Sequence, residues 1–430
     1  MRGTWFVLAA LAGCGGDPEV VSNFEIVGHS DLGARGMNSA LAVAGDIAYV
    51  GSRIDQKPIA IVDISTPSAP TVVGEIPGSI GMSSRELRAV GNLLIVMNLR
   101  CSPDLHGCAM GGSTENLALY DITDRRAPAL LATYPVTSTS PILSRSPHEL
   151  YLRQDDTRTL VYLAAPGASP TLEVIDVTDP ALPARVVGWD PRMAGLRPMG
   201  ADDILHSVSV SSDGTRAYLS HQLSGLLVAD VGSLPAITLM TPPSAAYDWA
   251  PPGAMGPHSA VEIPGTHVLV VTEEVYPSPY GAGCPWGHLR TVDASNPAAP
   301  KLLAEVKIDE NDPALCATAA ERTAFTAHNA TVTSEVALVT WYAGGLVAVD
   351  VRDPKKPKIV AELRPEPLPA VAVEDPGLGG NPVEMWSYPV IADGLIYVVD
   401  VRNGLYVLRY TGVGEQTIAG ETFLEGNSNL

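Results

Sequence analysis

The chain is short of several things. Aromatic residues make up 6% of its 430 positions, with only four Phe, and charged residues make up 17%. Positive charge is scarcer still, with 27 Lys and Arg against 47 Asp and Glu and a formal charge of −20. Such a field repels phosphate backbones and anionic headgroups, which excludes nucleic acid as a partner and leaves a membrane accessible only through a covalent anchor. No stretch reaches the roughly 18 apolar residues that a spanning helix needs, and hardly any has the period of an amphipathic helix. There are five Cys and nine His, few enough to be placed one by one.

What is abundant is apolar and turn-forming. With 46% apolar residues, 40 Gly and 37 Pro, the chain reads as many strands separated by turns. The stretch Leu346 to Pro357 (LVAVDVRDPKKP) is a β-branched strand stopped by an Asp-x-x-x-Pro-x-x-Pro turn, and variants recur from Ile59, Leu117, Leu172, Leu226 and Leu289. A seventh strand, Leu405 to Tyr410, has Arg409 where the others have Asp63, Asp121, Asp176, Asp230, Asp293 and Asp350. Successive motif Asp residues are 58, 55, 54, 63 and 57 positions apart, a period that suits a four-stranded blade with generous loops.

This pattern resembles the LVIVD-repeat β-propeller family. The resemblance implies an all-β fold, a single seven-bladed β-propeller of four-stranded blades spanning residues 23–411, with residues 412–430 as a C-terminal tail. In the first repeat the strands are expected near Ser39–Val43, Ile47–Gly51, Ile59–Ile64 and Thr71–Ile76. The segment Asn23 to Ser30 resembles the strands that follow each Pro-x-x-Pro. It is expected to be the outer strand of the last blade and to close the ring, which removes an exposed edge. The motif Asp residues are expected to accept backbone N–H bonds within their own turns.

Residues 1–13 read as a lipoprotein signal peptide, with Arg2, an apolar run and a lipobox-like Leu11-Ala12-Gly13-Cys14. Cleavage would leave an acylated Cys14 and a tether over 14–22. The expected location is therefore a bacterial cell envelope, lipid-anchored on the periplasmic side or the outer surface. The other four Cys are an even number in an exported chain, which suggests the disulfides Cys101–Cys108 and Cys284–Cys316. A metal reading of Cys101, His106 and Cys108 fits no common zinc spacing.

Loop lengths are lopsided. Turns between the first and second strands are tight, as at Ala44-Gly45-Asp46 or Ser211 to Gly214, whereas connections on the opposite face are long, such as Arg100 to Asn116, Asp190 to Leu205 and Asp309 to Ala327. Aligning the inner strands on their tight turns brings His148, His206, His258 and His328 to nearly one position, at the long-loop end of four consecutive blades. Asn38, Arg85 and Trp386 take that place in the other repeats. Four His at one channel mouth either hold loops and neighbouring blades by hydrogen bonds or form a first shell for Cu, Fe or Zn. Glu149 and Glu274 are the candidate proton acceptors, and Glu86, Glu273, Trp386, Arg402 and His221 are candidate rim residues.

Two functions stand open at this point. One is an envelope-anchored, monomeric module that binds an extracellular ligand, glycan or protein through its loop-rich rim. The other is a Cu- or Fe-dependent oxidoreductase using the four His, so the sequence alone does not decide whether the protein is an enzyme.

Overall fold

The computed structural model describes residues 22–109, 114–137, 146–167, 169–197, 203–242 and 255–430. Cys14 and the expected signal and tether residues up to 21 lie outside them.

The all-β expectation holds. Within the described residues the chain forms successive antiparallel meanders of four strands, and the first is Asn38–Ala44, Ile47–Ser52, Ile59–Asp63 and Thr71–Ile76. These bounds match the expected ones to within about a residue. The first strands of the following sheets are Met82–Val90, Glu149–Gln154, Ser207–Val210, Ser259–Ile263 and Ala330–Val332. In the seventh sheet Val390–Ala392, Leu395–Asp400 and Gly404–Tyr410 are joined by Phe24–Ser30, which pairs antiparallel with Gly404–Tyr410. A bridge between Ser52 and Ser84 links the first two meanders into one eight-stranded sheet.

Each motif strand is nearly continuous in apolar residues because both of its faces are covered. In Leu346–Asp350 every residue but the Asp is buried. The cover comes from the neighbouring sheets, and separate apolar clusters fill the gaps between them. One joins Leu119 and Leu150 of the second and third sheets, and another joins Leu338 and Leu408 of the sixth and seventh. The gap between the seventh sheet and the first is filled in the same way, by Val399 and Val407 against Leu41 and Val62. At the end of the strand the Asp turns the chain. Oδ1 accepts the N–H two residues on, from Ser65 to Asp63 at 2.9 Å, from Thr123 to Asp121 at 2.8 Å and from Ser295 to Asp293 at 2.9 Å.

Residues 412–430, expected to follow the propeller as a tail, return to it. A short helix, Glu415–Ala419, leads into Phe423–Glu425, which pairs with the inner strand Val390–Ala392. Asn427 then donates to the Leu150 carbonyl at 2.6 Å, and Asn429 to that of Gln154 at 2.8 Å. The last residues therefore run from the seventh sheet across to the inner strand of the third.

Candidate functional site

His148, His206 and His258 stand one residue before an inner strand and His328 two before, and each adds a backbone bond at the strand's start. His148, His206 and His258 donate their backbone N–H groups to Ala164, Ser220 and Thr272 at 2.8 Å, and His328 donates to Thr340 at 2.9 Å. The common register follows from a shared backbone position, and it stacks the rings. The centroids of His148 and His206, His206 and His258, and His258 and His328 are each 4.0 Å apart.

After His206 and His258 the next residue points the other way, as strand alternation requires, whereas Glu149 after His148 also lines the cavity. Ser207 donates to the His258 carbonyl, and Ser259 donates to the His328 carbonyl at 3.1 Å. These hydroxyls fasten one inner strand to the next and so fix the spacing of the rings. Neither Ser faces the cavity.

Glu274 lies just beyond the second strand of the fifth sheet and reaches across the rings. Its Oε2 is 3.6 Å from Nε2 of His258 and 3.9 Å from Nε2 of His206, and its Oε1 is 3.4 Å from Nε2 of His328. Tyr342 donates its hydroxyl to Oε1 and stands 3.3 Å from the hydroxyl of Tyr276. The Nδ1 of His328 meets the Trp386 carbonyl. A carbonyl only accepts, so Nδ1 carries a proton there, and Nε2 is the ring nitrogen that faces Glu274. His206 Nδ1 and both ring nitrogens of His258 are buried with no hydrogen-bond partner.

The electrostatics suit ligation. Burial, and then the nearby Arg85 charge, push His148 down to about 4, and burial followed by neighbouring rings holds His206 and His258 well below the ordinary imidazole range. These rings are neutral at pH 7 and keep their lone pairs. Burial opposes ionisation of Glu274, but the His328 and His258 rings and the Tyr342 hydroxyl outweigh it and hold the group below the usual carboxylate range. Glu149 goes the other way. Burial and then Glu86 push it well above that range, and Tyr388 donates to it at 3.2 Å. Donor atoms of His258, Glu274 and His328, and of Glu149, His206 and His258, form two groups within 4.8 Å.

The cavity around these groups has a volume of about 250 Å³. Glu86 and Trp386 line it as expected, together with Arg53, Tyr276 and the turn between Cys101 and Cys108. That turn is a helical loop, Pro103–His106, capped by Ser102 and closed by the Cys101–Cys108 disulfide. It brings Leu105 and His106 over the cavity, and the disulfide removes both thiols from the metal reading of this loop. The second disulfide, Cys284–Cys316, is also formed.

Three expected rim residues lie apart from the cavity. His221 Nδ1 is 3.0 Å from Asp203, Arg402 pairs with Glu374 at 3.0 Å, and Glu273 pairs with Arg290 at 2.9 Å. Adjacent residues at a strand end face opposite sides, so Glu273 and Glu274 cannot both enter. Arg53 was missed because it sits on a loop following Ile47–Ser52. The available signal was its place just beyond a second strand, the place that yields Glu274 and Tyr342 in other sheets.

Comparison with known proteins agrees with the repeat assignment. The LVIVD repeat family matches residues 35–76, which cover the first sheet. A search of curated proteins gave no match. Among solved structures, the Pseudomonas aeruginosa periplasmic gluconolactonase is similar at a TM-score of 0.50, with 13% identity over 76% of this chain and 84% of that one. Sqt1 of Chaetomium thermophilum, bound to the N-terminus of ribosomal protein L10, is similar at 0.52, with 13% identity over 89% and 98% of the two chains. These likenesses establish the β-propeller fold.

Proposed function

We propose that this protein is a seven-bladed propeller, closed by Phe24–Ser30, that carries a transition-metal centre at the mouth of its axis and acts as a metal-dependent oxidoreductase. Cu and Fe are the redox ions that imidazole suits. His206, His258 and His328 with Glu274 are the ligands, and His148 completes the ring of imidazoles. Glu274 thus moves from the proton acceptor expected from the sequence to a ligand, and Glu149, whose carboxyl is pushed above its usual range by burial, takes the part of proton donor.

The observation that carries this reading is the convergence of three Nε2 atoms on one carboxylate at 3.4–3.9 Å, with His258 unpartnered at both nitrogens. Donors about 2.0–2.1 Å from a tetrahedral ion stand roughly 3.4 Å apart. Purely structural histidines would each have a hydrogen-bond partner, because an unpaired buried polar atom costs about 1–3 kcal/mol. A bound ion would supply redox or Lewis-acid chemistry.

The test is metal content by mass spectrometry on untagged protein. Close to one Cu or Fe per chain is expected, lost in His258→Ala and Glu274→Gln. Protein that stays metal-free after incubation with each ion refutes the reading.

A rim that binds a protein or glycan is a second reading. It is favoured by a groove of about 1000 Å³ beside Trp286, His288 and Asn311. Both readings keep the lipid-anchored envelope location as a proposal, to be tested by membrane fractionation of wild type and Cys14→Ser.

A further inference from the structure

Arg85 occupies, in the second sheet, the register position of the four His. It is also a bulge residue. The pairing of Met82–Val90 with its neighbour steps from Ser84 opposite Asn98 to Glu86 opposite Met97, and Arg85 is left over. A bulge re-aims its side chain, and Arg85 lines the histidine cavity.

Its guanidinium has little to hold. NH2 is 3.2 Å from His106 Nε2, and the group lies over the Trp386 ring, 5.6 Å from its centroid. Among the described residues no carboxylate stands within ion-pair distance of it. Arg53 is matched by Glu384 at 3.0 Å and Asp375 at 3.5 Å, and Glu86 is engaged by Arg88 at 3.2 Å. Glu274 is taken up by Tyr342 and the rings. One cation with free N–H donors therefore faces a cavity of about 250 Å³. A half-buried charge with no opposite charge in contact favours an anion, and the planar fork of Arg fits two oxygens of an oxyanion.

We propose that the cavity's substrate is a small oxyanion, a carboxylate or phosphate compound, whose oxygens dock on Arg85 while the rest of the molecule faces the histidines. This deepens the metal reading by naming its substrate class. It rests on that reading for the reaction and not for the binding.

Calorimetric titration of the full chain with succinate, inorganic phosphate and neutral succinamide tests it, with metal content and melting temperature measured on the same samples. Succinate or phosphate is expected to bind and succinamide not to. The tighter of the two anions identifies the oxyanion type. Arg85→Met is expected to weaken binding by about tenfold or more at unchanged metal content, and Arg85→Gln takes its place if the Met variant unfolds. Equal binding by a folded variant, or equal binding of succinamide, overturns the proposal. Anion binding that depends on Arg85 in protein that never takes up metal upholds it and overturns the metal centre instead.

Discussion

Tyr342 is the residue on which the orientation of Glu274 turns. Its hydroxyl donates to Oε1, and the three ion-pair contacts of that carboxylate are made to imidazoles. Groups that orient a ligand typically change metal affinity by roughly 10–100-fold when removed. Tyr342→Phe keeps the ring that packs edge-on to His328, 5.3 Å between centroids, so the fold should persist while the carboxylate loses its hold. Competition with a chelator is expected to show metal binding weaker by about that factor. Unchanged affinity would mean that Glu274 is held by the imidazoles alone. At this scale the four His were legible because each keeps a fixed distance from a tight turn. Arg53 and Tyr276 were not, because long connections carry no register that one sequence can reveal.

At the scale of the element, the strand-and-turn repeat carries a pH dependence. Hydrogen bonds from donors two residues away lower Asp63, Asp121, Asp293 and Asp350, and they bring Asp155 and Asp213 to about 2. An unfolded Asp titrates near 3.9. A folded value below the unfolded one contributes stability that is complete above about pH 4 and is lost as pH falls toward about 2. Circular dichroism melts across that window should show a steady loss of stability. Replacing Asp63, Asp121 and Asp293 together by Asn should flatten it, and an unaltered slope would place the acid sensitivity elsewhere. The turn role of these Asp residues was readable in advance because it depends only on residues a few positions apart.

For the whole molecule, stability depends on segments that the sequence places at the ends. Phe24–Ser30 covers the edge of Gly404–Tyr410, with Phe24 packed on Tyr410 at 5.3 Å between rings. The other terminus is held inside. Glu425 is 3.8 Å from the buried Arg88, and Asn427 accepts from the same guanidinium. Cutting off residues 423–430 would leave Arg88 with Glu86 as its remaining carboxylate, and breaking a buried pair costs about 3–5 kcal/mol. Calorimetry is expected to show a marked drop in melting temperature for truncation at either end. A tail truncation that melts like the full chain would mean that this segment only rests on the inner strands.

The sequence by itself determined the strands, the motif turns and the register of the four histidines, and it suggested the two cysteine pairings that the structure forms. All of these follow from local period, turn chemistry or residue scarcity. The tertiary structure alone decided which strand ends meet. It turned Glu274 inward and Glu273 toward Arg290, placed Arg85 on a bulge that faces the histidine cavity, and brought the last residues back to the inner strands. Those outcomes depend on how sheets far apart in the chain pack against one another. The free energy that selects them comes from apolar surface buried between sheets and from polar groups that must find partners there, and neither is encoded in any short stretch.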